Sequence, residues 1–135
     1  MKKLKFLLVD DSASTNFFNR IMLEKANIVD EILIAKDGQE ALQILNNPYF
    51  ADLILLDINM PVMDGWEFLN EFQKLDAAYK DVGIIVMIGV DLPHEKKELI
   101  KKIPNVKGCS GKMLSKQAII DILAKLQDDT LMTQC

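Results

Sequence analysis

The chain has 135 residues and a net charge of −4, with half of its residues hydrophobic and 27% charged. That suffices for one domain with a real core, offers no basic stripe for nucleic acid, and contains no apolar run near the ~20 residues of a membrane span. Leu4 to Val9 is interrupted by Lys5 and stops at Asp10, too short for a secretory signal, so a cytoplasmic protein with no nucleic-acid or membrane partner is expected, its cysteines Cys109 and Cys135 as free thiols.

Short apolar runs alternate with amphipathic stretches along the chain. Phe6 to Val9 reads as a first strand. Ser12 is placed to cap a helix to about Ala26, in which Ala13, Phe17, Ile21 and then Phe18, Met22 recur at helical spacing. Ile32 to Ala35 is a second strand, and Asp37 with Glu40 has capping-box spacing before a short helix that Pro48 ends. Leu53 to Leu56 is a third strand, as uniformly apolar as a strand buried on both faces, and it stops on Asp57. A helix from about Asp64 through Leu75 follows, with Trp66, Phe68, Leu69 and Phe72 turned inward.

Gly83 to Ile88 forms a fourth strand; Asp91 and Pro93 fit the cap and first turn of a charged helix to about Lys102. Val106 to Ser110 is a fifth strand, and Ser115 caps a last helix with Ile119, Ile122, Leu123 and Leu126 on one face. Five βα units without repeat or linker argue one α/β domain over residues 1–127 with a short tail at 128–135. The expected architecture is a doubly wound, five-stranded parallel sheet, flavodoxin-like with strand order 2-1-3-4-5 and right-handed connections.

In that fold the carboxyl ends of the strands share one edge, where ligands bind. Asp10 and Asp11 end the first strand and Asp57 the third, its neighbour in this order. Taken singly, such acids are turn or capping residues. Converging, they repel one another unless a cation intervenes, and hard oxygen ligands suit Mg²⁺. Lys112, just past the fifth strand, adds a positive charge on the same edge. Carboxylates, a divalent cation and a lysine are what a developing phosphoryl charge requires.

The segments Val9-Asp10-Asp11-Ser12 and Leu56-Asp57-Ile58-Asn59-Met60-Pro61-Val62-Met63-Asp64-Gly65, with Lys112, resemble the receiver domain of two-component response regulators. The resemblance implies a phospho-accepting signalling domain, not an enzyme. In it Asp57 takes a phosphoryl group from a sensor histidine kinase or a histidine phosphotransfer protein. It implies Mg²⁺ as cofactor, held by Asp10, Asp11, Asp57 and the backbone carbonyl of Asn59, with Asp10 acting mainly through metal-bound water. Lys112 and Gly89 are implied at the phosphoryl oxygens, and a downstream protein partner is implied for output, since no output module fits in the residues after Gln127.

Three positions depart from the family. The hydroxyl residue expected at the end of the fourth strand is Ile88, and no Ser or Thr occurs between Thr15 and Ser110. The aromatic expected in the fifth strand is Cys109, and the proline expected after the lysine is Met113. These departures leave open a pseudo-receiver, a protein-interaction module independent of phosphorylation. An aspartate-nucleophile phosphatase is disfavoured, because the position two after the nucleophile is Asn59 and not an acid. His94 is expected as an exposed helical histidine, with a phosphohistidine relay as the alternative. The run Glu95-Lys96-Lys97-Glu98 with Lys101-Lys102 is expected on a solvated helix face, with partner docking as the alternative.

Overall fold

The computed structural model describes residues 3–127; the expected tail at 128–135 lies outside them. Five strands, β1 (Leu4–Val9), β2 (Val29–Ala35), β3 (Leu53–Asp57), β4 (Gly83–Met87) and β5 (Val106–Ser110), form one parallel sheet in the order β2-β1-β3-β4-β5. Between and after them run α1 (Ala13–Lys25), α2 (Gly38–Leu45), α3 (Gly65–Phe72), α4 (His94–Lys101) and α5 (Lys116–Gln127). This is the flavodoxin-like α/β fold that the alternation implies. No helix among the described residues is long and apolar enough to cross a membrane.

The uniform apolarity of the central strands has a simple cause, since both faces of the sheet are covered. Leu7, Val9, Ile54, Leu56, Ile84 and Val86 point into a core with Leu45, Phe68, Leu69, Phe72 and Ile100. Phe6, Leu8, Leu53, Leu55, Ile85 and Met87 point into a second core with Leu23, Ile119 and Ile122. Every residue of β3 and β4 is buried. At roughly 1.5–3 kcal/mol for each buried Leu or Ile, these two strands are the rigid floor on which the site stands.

Caps fix where the helices begin. Ser12 accepts from the Thr15 N–H and Asp37 from the Glu40 N–H; Ser115 accepts from the Ala118 N–H. Glu40 reaches back to the N–H of Lys36, one residue before the cap, so the spacing at α2 does not close a capping box. The reciprocal box occurs at α3 instead, between Asp64 and Glu67. At α4 the expected cap is not made: Pro93 holds the cap position without a side-chain bond, and Asp91 pairs with Lys97 at 3.1 Å.

The apolar recurrence in α1 does not mark the packed face. Phe17 is 66% exposed and Phe18 37%, while Asn16, Asn19 and Leu23 are buried. The physical reason is that this face meets backbone as well as apolar side chains, and amides satisfy peptide groups that phenyl rings cannot.

Candidate functional site

Asp57 is the last residue of β3, 1% exposed, with both carboxylate oxygens lacking any hydrogen-bond partner. Such an arrangement is costly for a carboxylate, and the neighbourhood shows what offsets it. Lys112 brings Nζ to 3.3 Å from Asp57 Oδ1. That contact is an ion pair without the alignment of a hydrogen bond.

The loop after β3 is aimed by a glycine. The Gly65 N–H donates to the Ile58 carbonyl at 2.8 Å. A Cβ at position 65 would fall 2.7 Å from the Asp57 carbonyl oxygen and 2.7 Å from the Ile58 Cα. Only glycine lets the start of α3 lie this close behind the end of β3.

The two other acids arrive from β1. Asp10 continues the strand pairing through its N–H to the Ala35 carbonyl at 3.0 Å. Its Oδ1 accepts from the Ser12 N–H at 2.9 Å, and its carbonyl accepts from Asn16 Nδ2 at 2.8 Å. Asp11 is exposed beside it. One carboxylate oxygen from each of Asp10, Asp11 and Asp57 lies within 4.8 Å of the others. Burial pushes the Asp10 carboxyl above its ordinary range, and Asp57 and Asp11 push the same way, against the Ser12 N–H and Lys112.

These residues fit a hard divalent cation. Three carboxylates converge, two of them buried, and one has two unsatisfied oxygens. Asp10, Asp11 and Asp57 would hold Mg²⁺ here.

A cavity of about 250 Å³ opens beside Asp57, lined by Asn59, Trp66, Ile88, Gly89, Lys96 and Lys112 among others. The sequence therefore brings its expected residues to one place: Asp57, Asn59, Gly89, Ile88 and Lys112 share this wall. Gly89 sits against the Lys112 stem, since a Cβ there would be 3.9 Å from Cδ and Cε. Cys109 lies one layer away, in register with Val86 of β4 and packed with Ile88 on the first core. The free-thiol expectation fails at Cys109, which is disulfide-bonded; Cys135 lies outside the described residues.

Three contributors escape a reading by motif. Asn16 and Asn19, three apart on α1, are buried amides that serve the site's backbone. Lys96 of α4 lies over the Trp66 ring, 4.7 Å from its centroid, on the cavity wall. The sequence signal for the asparagines is their helical spacing with Leu23, a face that apolar counting overlooks. His94 is as expected: its side chain is 86% exposed, with Nε2 3.8 Å from Glu98.

Known proteins are similar to this chain in sequence and in fold. Residues 6–125 match the family model described as the response regulator receiver domain. The chain is 31% identical over 119 residues to the chemotaxis protein CheY of Halobacterium salinarum, covering 87% of this chain and 92% of that protein. Other curated relatives are longer, and the chain spans between 12% and 58% of their length. A high-resolution structure of the chemotaxis response regulator CheY4 of Vibrio cholerae superposes with a TM-score of 0.75 at 30% identity, over 93% of this chain and 99% of that one. A two-component response regulator from Cytophaga hutchinsonii gives a TM-score of 0.83 over 93% and 98% at 24% identity, a likeness of fold.

Proposed function

The chain belongs to the response regulator receiver domain family, and from that premise we propose that Asp57 is its phosphoryl acceptor. Receiver domains are signalling domains that accept phosphoryl groups from histidine kinases and similar sensors. The donor proposed here is the phosphohistidine of a sensor kinase or a histidine phosphotransfer protein, and the output is contact with a downstream protein. The receiver unit is taken to run over residues 1–127.

One observation carries the reading: a carboxylate 1% exposed, with neither oxygen hydrogen-bonded, faces a cavity that Lys112 shares. An Asp57 oxygen attacks the phosphorus, the phosphorus–nitrogen bond breaks, and its electron pair returns to the imidazole. Lys112 pairs with the phosphoryl oxygens, which replace the carboxylate as its anionic partner. Asp10, Asp11 and Asp57, with the Asn59 carbonyl, would hold Mg²⁺, which when bound would neutralise the charge that collects on the carboxylates and the transferring group. Water later attacks the phosphorus of the acyl phosphate, the bond from phosphorus to the Asp57 oxygen breaks, and inorganic phosphate leaves as the carboxylate is restored.

Incubation with Mg²⁺ and a small acyl phosphate, followed by intact mass measurement, tests the assignment. The expected result is a labile gain of one phosphoryl group, absent from Asp57→Asn. A second reading, a pseudo-receiver that binds its partner without phosphate, is favoured by the apolar Ile88 where a hydroxyl would meet the phosphoryl group. No mass gain from a folded, Mg²⁺-loaded protein would select it.

A further inference from the structure

The side chain of Asn19 is buried in the middle of α1, yet its polar atoms are spent on a distant loop. Nδ2 donates to the Lys112 carbonyl at 3.0 Å, and Oδ1 accepts from the Leu114 N–H at 2.9 Å. One amide thus brackets Lys112-Met113-Leu114, the turn between β5 and α5. The bracket fits an amide alone, because the loop presents a carbonyl on one side and an N–H on the other. An aspartate accepts but cannot donate, and an apolar side chain leaves both backbone groups unpaired.

The loop needs such a bracket. Met113 at its tip is 52% exposed. Its φ is not locked as a proline's would be, and no peptide bond among the described residues is cis. Leu114 anchors one end at 1% exposure, but Lys112 at the other end is 39% exposed in its side chain. The Lys112 ammonium reaches Asp57 from a long, flexible stem, so the position of its backbone decides how often it arrives.

We propose that Asn19 is a positioning residue for Lys112, fixing the root of that side chain so that its ammonium meets the phosphoryl group on Asp57. This rests on the reading of Lys112 as phosphoryl-binding. Asn19 ties the helix after Asp10-Asp11 to the loop after β5, so the acidic and the basic sides of the site are set against one another by a single amide. In this chain it supplies from α1 the order that Met113 does not supply from within the loop.

A double-mutant cycle separates this role from general support of the fold. The affinity for beryllofluoride in Mg²⁺, a phosphoryl mimic on Asp57, is measured for the parent chain, Asn19→Ala, Lys112→Ala and the double variant. Asn19→Ala is expected to weaken binding by about tenfold, the net worth of a hydrogen bond or two, and to change it less than about twofold once Lys112 is absent. Asn19→Asp, which keeps the volume and the acceptor, covers the case in which the alanine variant folds poorly. Equal losses with and without Lys112, or no loss in its presence, overturn the proposal. If Lys112→Ala alone leaves the affinity unchanged, the assignment of Lys112 falls first and the role of Asn19 falls with it.

Discussion

The Lys112 ammonium stands 3.3 Å from Asp57 Oδ1, while neither oxygen of that carboxylate accepts a hydrogen bond. A partly exposed cation is therefore the ion-pair partner of a buried carboxylate. Removing a partner from a fully buried pair costs about 3–5 kcal/mol and from an exposed pair about 0–1. With Lys112 39% exposed and Asp57 1%, Lys112→Met is expected to lose about 1–3 kcal/mol in metal-free denaturant unfolding. Added Mg²⁺ recovers most of that loss, because binding to the folded state alone stabilises it. Unchanged metal-free stability would show that solvent, not Lys112, satisfies Asp57.

Asp10 gives the pH dependence. Burial, with Asp57 and Asp11 beside it, raises its folded pKa above the unfolded value near 3.8. The folded state then holds the proton more tightly, so metal-free stability is full below the unfolded value and falls as pH rises through the raised one. Asp10→Asn is expected to unfold at higher temperature than the parent near neutral pH without metal, and to lose that advantage in acid. With Mg²⁺ the order reverses, because the parent gains a ligand set that the variant lacks. A variant less stable than the parent in metal-free buffer at neutral pH counts against the assigned repulsion.

Val62 lies in the loop after β3 with φ at 67°, and the Met63 N–H donates back to the Pro61 carbonyl at 2.7 Å. A β-branched residue is strained there, and strain of this kind costs about 1–3 kcal/mol. Val62 is 72% exposed, so little packing offsets it. Val62→Asn, which tolerates left-handed backbone, is expected to stabilise the fold by about 1 kcal/mol in equilibrium unfolding. A loss of stability would mean that the valine side chain has a packing role.

Trp66, the single tryptophan of the chain, has Lys96 over its ring at 4.7 Å on the cavity wall beside Asp57. A doubly charged phosphoryl group competes for that ammonium with a contact of about 0.5–1 kcal/mol. Beryllofluoride in Mg²⁺ is expected to change the intrinsic fluorescence, and Lys96→Met to remove most of the change. An equal change in both proteins would assign it to other neighbours of the indole.

The sheet was legible because two-sided burial writes itself as continuous apolar runs, and β3 ends on Asp57 where the run breaks. Asp10, Asp11, Asp57 and Lys112 were legible because strand order alone places strand ends together. Asn16 and Asn19 were not, since their partners are backbone atoms, one of them 93 positions away, and backbone leaves no residue code. The exposed Phe17 misled for the same reason: helical spacing identifies a face but not what that face meets. The α4 cap failed because Asp91 has a competing partner in Lys97, which local spacing cannot weigh.

Ile88 presents the last test. It follows β4, lines the cavity with Asp57, and its N–H donates to the Ser110 carbonyl at 2.8 Å. Its side chain and that of Cys109 each pack against the first core; on the proposed reading of Ile88 as the switch position, no hydroxyl stands there to bond a phosphoryl oxygen. A hydrogen bond to a charged group contributes about 1.5–3 kcal/mol. Ile88→Thr keeps the β-branch that suits the strand end and adds that donor. Beryllofluoride affinity is expected to rise by at least about tenfold, and the aspartyl phosphate to last longer, with little change in unmodified stability. Unchanged affinity and lifetime would mean that Lys112 and the metal already saturate the phosphoryl oxygens, and that the missing hydroxyl does not limit this receiver.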